Sequence, residues 1–190
     1  MRPHILNRVE WLGLKVFENG DYDLNIIGER FKGSPERFDD ILHVCYKIGG
    51  LWQHHRFACT TEPSTYWLNN PMRIGGTAIV KSPQQMRSAF ELGLHKGSYT
   101  CLRQRKEVEV WRDSNKDSVI DYGDLDDSVA WAIQIHRASA HRTSQSTAKW
   151  SAGCTVVQDP VHYDTFIELC RAQVNIRRWS SFTYTLIDGE

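Results

Sequence analysis

The chain has 190 residues, with 23 Lys plus Arg against 23 Asp plus Glu, 41% hydrophobic and 24% charged residues, and seven each of Trp, Tyr and Phe. That length and composition describe one globular domain, or one domain with a small subdomain, and exclude a collagen-like fibre or a disordered tail. A formal net charge of zero removes the simplest ground for binding nucleic acid, which needs a surplus of basic charge at least locally, so no nucleic-acid partner is expected.

The elements follow from spacing. Tyr22, Leu24 and Ile26 alternate after the turn signal Asn19-Gly20, which predicts a strand or hairpin near 21–27. Ser34-Pro35 reads as a helix opening, and Phe38, Ile41, Leu42, Cys45 and Ile48 recur at helical spacing until Gly49-Gly50, so a helix is expected there with Cys45 as packing. Residues 51–76 hold Trp52, His54, His55, Trp67, Asn69-Asn70-Pro71 and Gly75-Gly76 without clear period, the composition of a turn-rich surface segment suited to lining a cleft. Thr77–Val80 reads as a strand, and Ser82-Pro83 with Gln85 repeats the helix opening, giving a brief helix that ends by Gly93. Lys106–Arg112, Trp131–His136 and Ser181–Ile187 alternate as strands, and Asp159-Pro160 starts a last helix through Tyr163, Phe166, Ile167 and Cys170. The expected fold class is α+β: a mostly antiparallel β-sheet or sandwich with a few packed helices. Residues 1–76 are expected as an N-terminal extension packed on a core domain of residues 77–190.

No stretch approaches the roughly 18 apolar residues of a membrane span, and the first residues lack the apolar core of a signal peptide. A cytoplasmic location until release is therefore expected. Five cysteines, Cys45, Cys59, Cys101, Cys154 and Cys170, stand without CxxC pairs, and an odd count without an export signal points to free thiols.

His136 and Cys154 form a chemical constellation. On the strand ending at His136, Ala132, Gln134 and His136 point away from the face of Trp131, Ile133 and Ile135, because side chains alternate across a pleat. Downstream, Ser151-Ala152-Gly153-Cys154 leads into the apolar Thr155-Val156-Val157, small residues that let a substrate carbonyl lie against backbone N–H groups. A cysteine nucleophile needs a group that favours the thiolate and donors for the oxyanion; a histidine and the amides at Gly153 and Cys154 are of the right type. The papain order, cysteine well before histidine, does not fit, since only His162 follows Cys154.

Ile135-His136-Arg137 and Ser151-Ala152-Gly153-Cys154 resemble the catalytic signature of the L,D-transpeptidase family, in which a strand histidine precedes Ser-His-Gly-Cys and a helix follows. Ala152 stands where that family usually has histidine, and the common Arg or Asn after the cysteine is missing. The resemblance covers about residues 130–172. It implies Cys154 as nucleophile, His136 as general base, the Gly153 and Cys154 amides as oxyanion hole, Arg137 as the residue orienting the imidazole, and a sandwich of L,D-transpeptidase type. Gly93-Leu94-His95-Lys96-Gly97 and the acidic loop before His136 further resemble phage and bacterial proteins acting on peptidoglycan. By that resemblance His95 and Ser151 line the substrate, while Arg137, His141 and Lys149 are candidates to hold peptide carboxylates.

The acidic loop is Asp113-Ser114-Asn115-Lys116-Asp117-Ser118-Val119-Ile120-Asp121-Tyr122-Gly123-Asp124. Oxygen side chains at positions 1, 3, 5, 9 and 12 of this loop follow EF-hand spacing, so Asp113, Asn115, Asp117, the Val119 carbonyl, Asp121 and Asp124 are candidate Ca²⁺ ligands. Ser118 occupies the position where glycine usually makes the turn. The alternative is a metal-free Asx-rich turn; a bound ion would be structural, bracing the strand of His136, and the chemistry needs no cofactor.

The first functional expectation is a monomeric cysteine peptidase acting on peptidoglycan stem peptides, endolysin-like, since the missing signal favours hydrolysis in a phage lysis setting. Alternatives are an L,D-transpeptidase forming cross-links, an interbacterial toxin with the same chemistry, and a non-catalytic calcium-stabilised wall-binding protein in which Tyr66, Trp67 and Trp150 stack on sugars.

Overall fold

The computed structural model describes residues 1–123 and 127–190. A short helix α1 (His4–Trp11) precedes β1 (Asn25–Arg30), β2 (Asp40–Ile48) and β3 (Leu51–Thr60). After α2 (Thr65–Asn69) come β4 (Thr77–Val80), β5 (Gln84–His95), β6 (Tyr99–Gln104), β7 (Val108–Asp113) and β8 (Asp127–Ala130). The chain ends with β9 (Gln134–Arg137), β10 (Thr155–Val157), α3 (Pro160–Arg177) and β11 (Ser181–Asp188).

Eight strands close a barrel in the order β1-β11-β5-β6-β9-β10-β3-β2, and β4, β7 and β8 form a separate three-stranded sheet. The expected open sheet or sandwich is thereby corrected: the fold is a closed, mixed barrel. Closure comes from β1, which pairs in parallel with β11 and antiparallel with β2, so that the two ends of the chain remove each other's free edge. The second parallel pair, β9 with β10, sets Val156 beside His136. Strands from residues 25–60 and from 84–188 thus share one barrel.

Burial explains where local patterns mislead. Asp40–Ile48 is a strand, and not the expected helix, because both of its faces are covered. Leu42, Val44 and Tyr46 join the barrel core with Ile26, Phe90 and Leu102, while Cys45 faces out with Ile27 and Ile187 toward Ile5, Leu6 and Val9 of α1. A strand apolar on both sides loses its alternation and imitates a helical stripe. Gly49 and Gly50, at φ +56° and +78°, make the tight turn of a β2–β3 hairpin. The helix expected after Ser82-Pro83 is likewise strand β5, and the supposed turn-rich segment after residue 50 contains β3 and α2.

The last helix is α3, where Asp159 caps the amides of Val161 and His162 with Pro160 in the first turn. It places Tyr163, Phe166 and Cys170 in the main core. Among the described residues no helix is long and apolar enough to cross a membrane.

Candidate active site

All five cysteines are free, and Cys154 alone is not fully buried. Its position is fixed by the turn before β10. Ser151 is wholly buried; its hydroxyl donates to the Cys154 carbonyl at 2.8 Å and accepts the Gly153 amide at 3.2 Å, while its own carbonyl takes the Ser64 amide. Gly153 has φ +114°, and a Cβ there would lie 2.3 Å from the Ala78 carbonyl oxygen of β4. The small residues of this turn therefore allow the cysteine loop to pass directly beneath the second sheet.

The β9–β10 register, with Thr155 beside Ile135 and Val156 beside His136, puts Cys154, Gln134 and His136 on one face, because paired residues of neighbouring strands share a side. Ile135 and Val157 on the opposite face enter the core. Cys101 of β6 approaches the Gln134 side chain, and His95 pairs with Tyr99 across the β5–β6 hairpin. His136 is almost fully buried, stacks on His95 at 4.4 Å between ring centroids, and contacts the Arg137 carbonyl through Nδ1 at 2.9 Å. A carbonyl only accepts, so Nδ1 carries the proton and Nε2 the lone pair. Burial pulls the His136 pKa down to about 4, helped by His95 and Lys96 and opposed by the Arg137 carbonyl. The ring is a neutral base at ordinary pH.

At Cys154, burial pushes the thiol up to about 11, while the Gln134 amide and the charge of Lys96 pull the other way. The sulfur also lies 3.7 Å from the Ala132 carbonyl, an acceptor for its S–H. Cys154 thus rests as a thiol. Gln134 is the hub of the cluster: its side-chain oxygen accepts from His95 Nδ1, and from the Cys101 thiol at 3.6 Å, while its backbone N–H faces Cys154.

The Gly153 amide is engaged by the Ser151 hydroxyl, and Ser151 itself is buried within the turn. Arg137 orients His136 through its carbonyl, and its guanidinium lies 4.0 Å over the Tyr99 ring. His95 does join the cluster. Lys149 packs over Tyr66 at 4.1 Å, and neither it nor exposed His141 lines the cavity at Cys154. Residues the sequence reading left aside include Lys96, Cys101, Tyr99 and Gln134. Only Gln134 was signalled, by sharing the face of His136.

The cavity at Cys154 holds about 100 Å³ and runs between Trp67 of the α2 segment, Arg73, Ala78 of β4, Arg112 of β7 and Trp131 before β9. Trp67 is held by its indole N–H on the Lys149 carbonyl at 3.0 Å. Of the aromatic trio expected to stack on sugars, Trp67 lines this cleft, whereas Tyr66 and Trp150 do not.

In the acidic loop, Asn115 Nδ2 reaches Asp117 at 3.0 Å and Asp121 at 2.7 Å, the Val119 amide donates to Asp117, and the Asp121 amide donates to Asp113 Oδ2. Asp113 is fully buried, and among the described residues its Oδ1 has no hydrogen-bond partner. Ser118 takes φ +69°, supplying without glycine the positive-φ turn. Asp124 lies outside the described residues, and among those described no three His, Cys, Asp or Glu side chains are grouped as metal ligands. The loop docks through Tyr122 on Glu62 and through Ser118 on Asn69 of α2, so an ion there would brace the wall that carries Trp67. The expected brace against the His136 strand is not among these contacts.

No family model, no curated protein and no solved structure matches this chain.

Proposed function

We propose that this protein is a cysteine acyl-transfer enzyme acting as a peptidase on peptidoglycan stem peptides, in the manner suggested by the resemblance of its His136 and Cys154 segments to the L,D-transpeptidase signature. The observation that carries the reading is that the one accessible cysteine, which lines a cleft, shares a sheet face with a buried neutral histidine on the neighbouring strand.

Cys154 attacks the amide carbonyl carbon as its proton passes to His136 Nε2, forming a C–S bond and a tetrahedral oxyanion that the Cys154 amide stabilises. Collapse breaks the C–N bond, and the proton on His136 leaves with the amine. Water then attacks the thioester, giving its proton to His136, and the acid product departs as the thiol is restored. Because the resting group is a thiol, the proton transfer accompanies attack, and Lys96 and the Gln134 amide favour the developing sulfur charge. An amine in place of water makes the same intermediate a cross-linking transpeptidase.

A structural Ca²⁺ in the Asp113 loop belongs to the proposal, supported by the buried, unpartnered Oδ1 of Asp113. Asp113, Asn115, Asp117 and Asp121 would hold it, and its contribution would be to steady the loop against α2.

Purified peptidoglycan is digested with the wild type and with Cys154→Ala, and the muropeptides are read by mass spectrometry. New peptide termini absent with the variant are expected, and products joined to an added amine would identify transfer. Identical release by both proteins overturns the nucleophile. No release by either, on walls of several chemotypes, favours the wall-binding reading, in which Trp67 is the aromatic residue in the cleft.

A further inference from the structure

Two arginines meet in the Cys154 cleft, contributed by segments that the sequence leaves far apart. Arg73 comes from the exposed turn before β4, and Arg112 from β7, where it stands across from Ala78. Both line the cavity whose floor includes Cys154. Among the described residues neither guanidinium has a carboxylate within ion-pair distance, and the side-chain bond of Arg112 goes to the Val129 carbonyl at 3.1 Å. They are close enough that the charge of Arg73, after the larger effect of burial, lowers the pKa of Arg112.

Two like charges facing one cavity repel each other, a cost that an anion between them would reverse. The cavity walls also select. Trp67 and Trp131 flank it, and its volume of about 100 Å³ is below the roughly 150 Å³ of a cavity that takes a benzene ring, room for an alanine-sized terminus and not for a long side chain. Planar guanidinium forks suit a carboxylate, which they bind bidentately.

Resting on the reading of Cys154 as nucleophile, we propose that Arg73 and Arg112 form a carboxylate-binding subsite that selects peptides carrying a free carboxylate on a small residue beside the scissile amide. The subsite sets specificity by positioning that carboxylate one residue from the carbonyl presented to the sulfur. It replaces Arg137, His141 and Lys149 as the source of carboxylate recognition.

Binding is measured first, in the Cys154→Ala protein, by quenching of tryptophan fluorescence with N-acetyl-D-Ala-D-Ala, with its C-terminal carboxamide, and with the methylamide of N-acetyl-D-Glu. Tighter binding of the free acid than of its carboxamide, by tenfold or more and weakened by salt, is expected, with the difference abolished in Arg73→Gln/Arg112→Gln. Preference for the Glu derivative would assign the carboxylate to a side chain and overturn the terminal assignment. Equal binding of acid and carboxamide, or a preference that survives the double replacement, overturns the subsite. Turnover is then compared in proteins with Cys154 intact. Cleavage that depends on Cys154 but ignores the carboxylate leaves the nucleophile standing and removes the subsite; carboxylate binding without any Cys154-dependent turnover does the opposite. Circular dichroism and melting temperature show that the double variant is folded, and a Lys replacement at both positions, retaining charge without the fork, is expected to restore part of the preference.

Discussion

Replacing Gly153 with alanine tests the packing that seats Cys154. Two costs add. The backbone at φ +114° is one that side chains rarely adopt, worth about 1–3 kcal/mol for a non-glycine residue. The new methyl would also meet the Ala78 carbonyl oxygen at 2.3 Å, a backbone atom of β4 that cannot swing aside as a side-chain tip would, and overpacking of this kind costs about 1–3 kcal/mol. The sum is roughly 2–6 kcal/mol, which at ~2–4 °C per kcal/mol for a chain of this size lowers the melting temperature by roughly 5–20 °C. Gly97 is the control: its φ is +72° with nothing within 4 Å of an added Cβ, so alanine there costs about 1 kcal/mol of backbone strain alone. Thermal unfolding of the two variants, followed by circular dichroism, reads the difference. A loss at Gly153 no greater than at Gly97 would refute the close passage of the cysteine loop beneath β4.

Stability is expected to fall in mild acid, because burial holds His43 and His136 neutral with pKa values of about 4. The unfolded chain takes up those protons near pH 6.5, so the contribution is complete above that pH and is lost toward pH 4, at up to ~1.4 kcal/mol per pH unit for each ring; an unfolding midpoint in urea unchanged between pH 7.5 and 4.5 would contradict this. Iodoacetamide should label Cys154 before the other four cysteines, all buried, and Lys96→Gln should slow that labelling two- to threefold at pH 8, the effect of ~0.5 kcal/mol from one partly screened charge; peptide mapping by mass spectrometry reads both, and labelling spread evenly over the five would count against the site. Added Ca²⁺ should raise the melting temperature relative to a chelated sample, by an amount equivalent to ~2.7 kcal/mol at a hundredfold excess over Kd, and Asp113→Asn should remove the difference; identical melting with and without the ion, together with no terbium luminescence, would leave the loop metal-free.

The sequence by itself determined much of the local order. Alternation located β7, β9 and β11, a short apolar run located β4, Asp159-Pro160 located α3, and the small residues before Cys154 together with the side shared by Gln134 and His136 marked the candidate cluster. These are short-range consequences of a pleat, a cap or a missing side chain, written in neighbouring residues. The barrel was not legible, since its closure rests on β1 meeting β11 from the other end of the chain, and no local pattern records which strand lies beside which. Double-sided burial hid β2 inside a helical-looking stripe for the same reason: what covers the outer face is α1, more than thirty residues away. The site divides along this line. His136 and Cys154 declare themselves through their strands, whereas Lys96, Cys101 and the Arg73–Arg112 pair acquire meaning only when the hairpin, the turn and the second sheet converge on one sulfur, because electrostatic and packing partners are chosen by proximity in space.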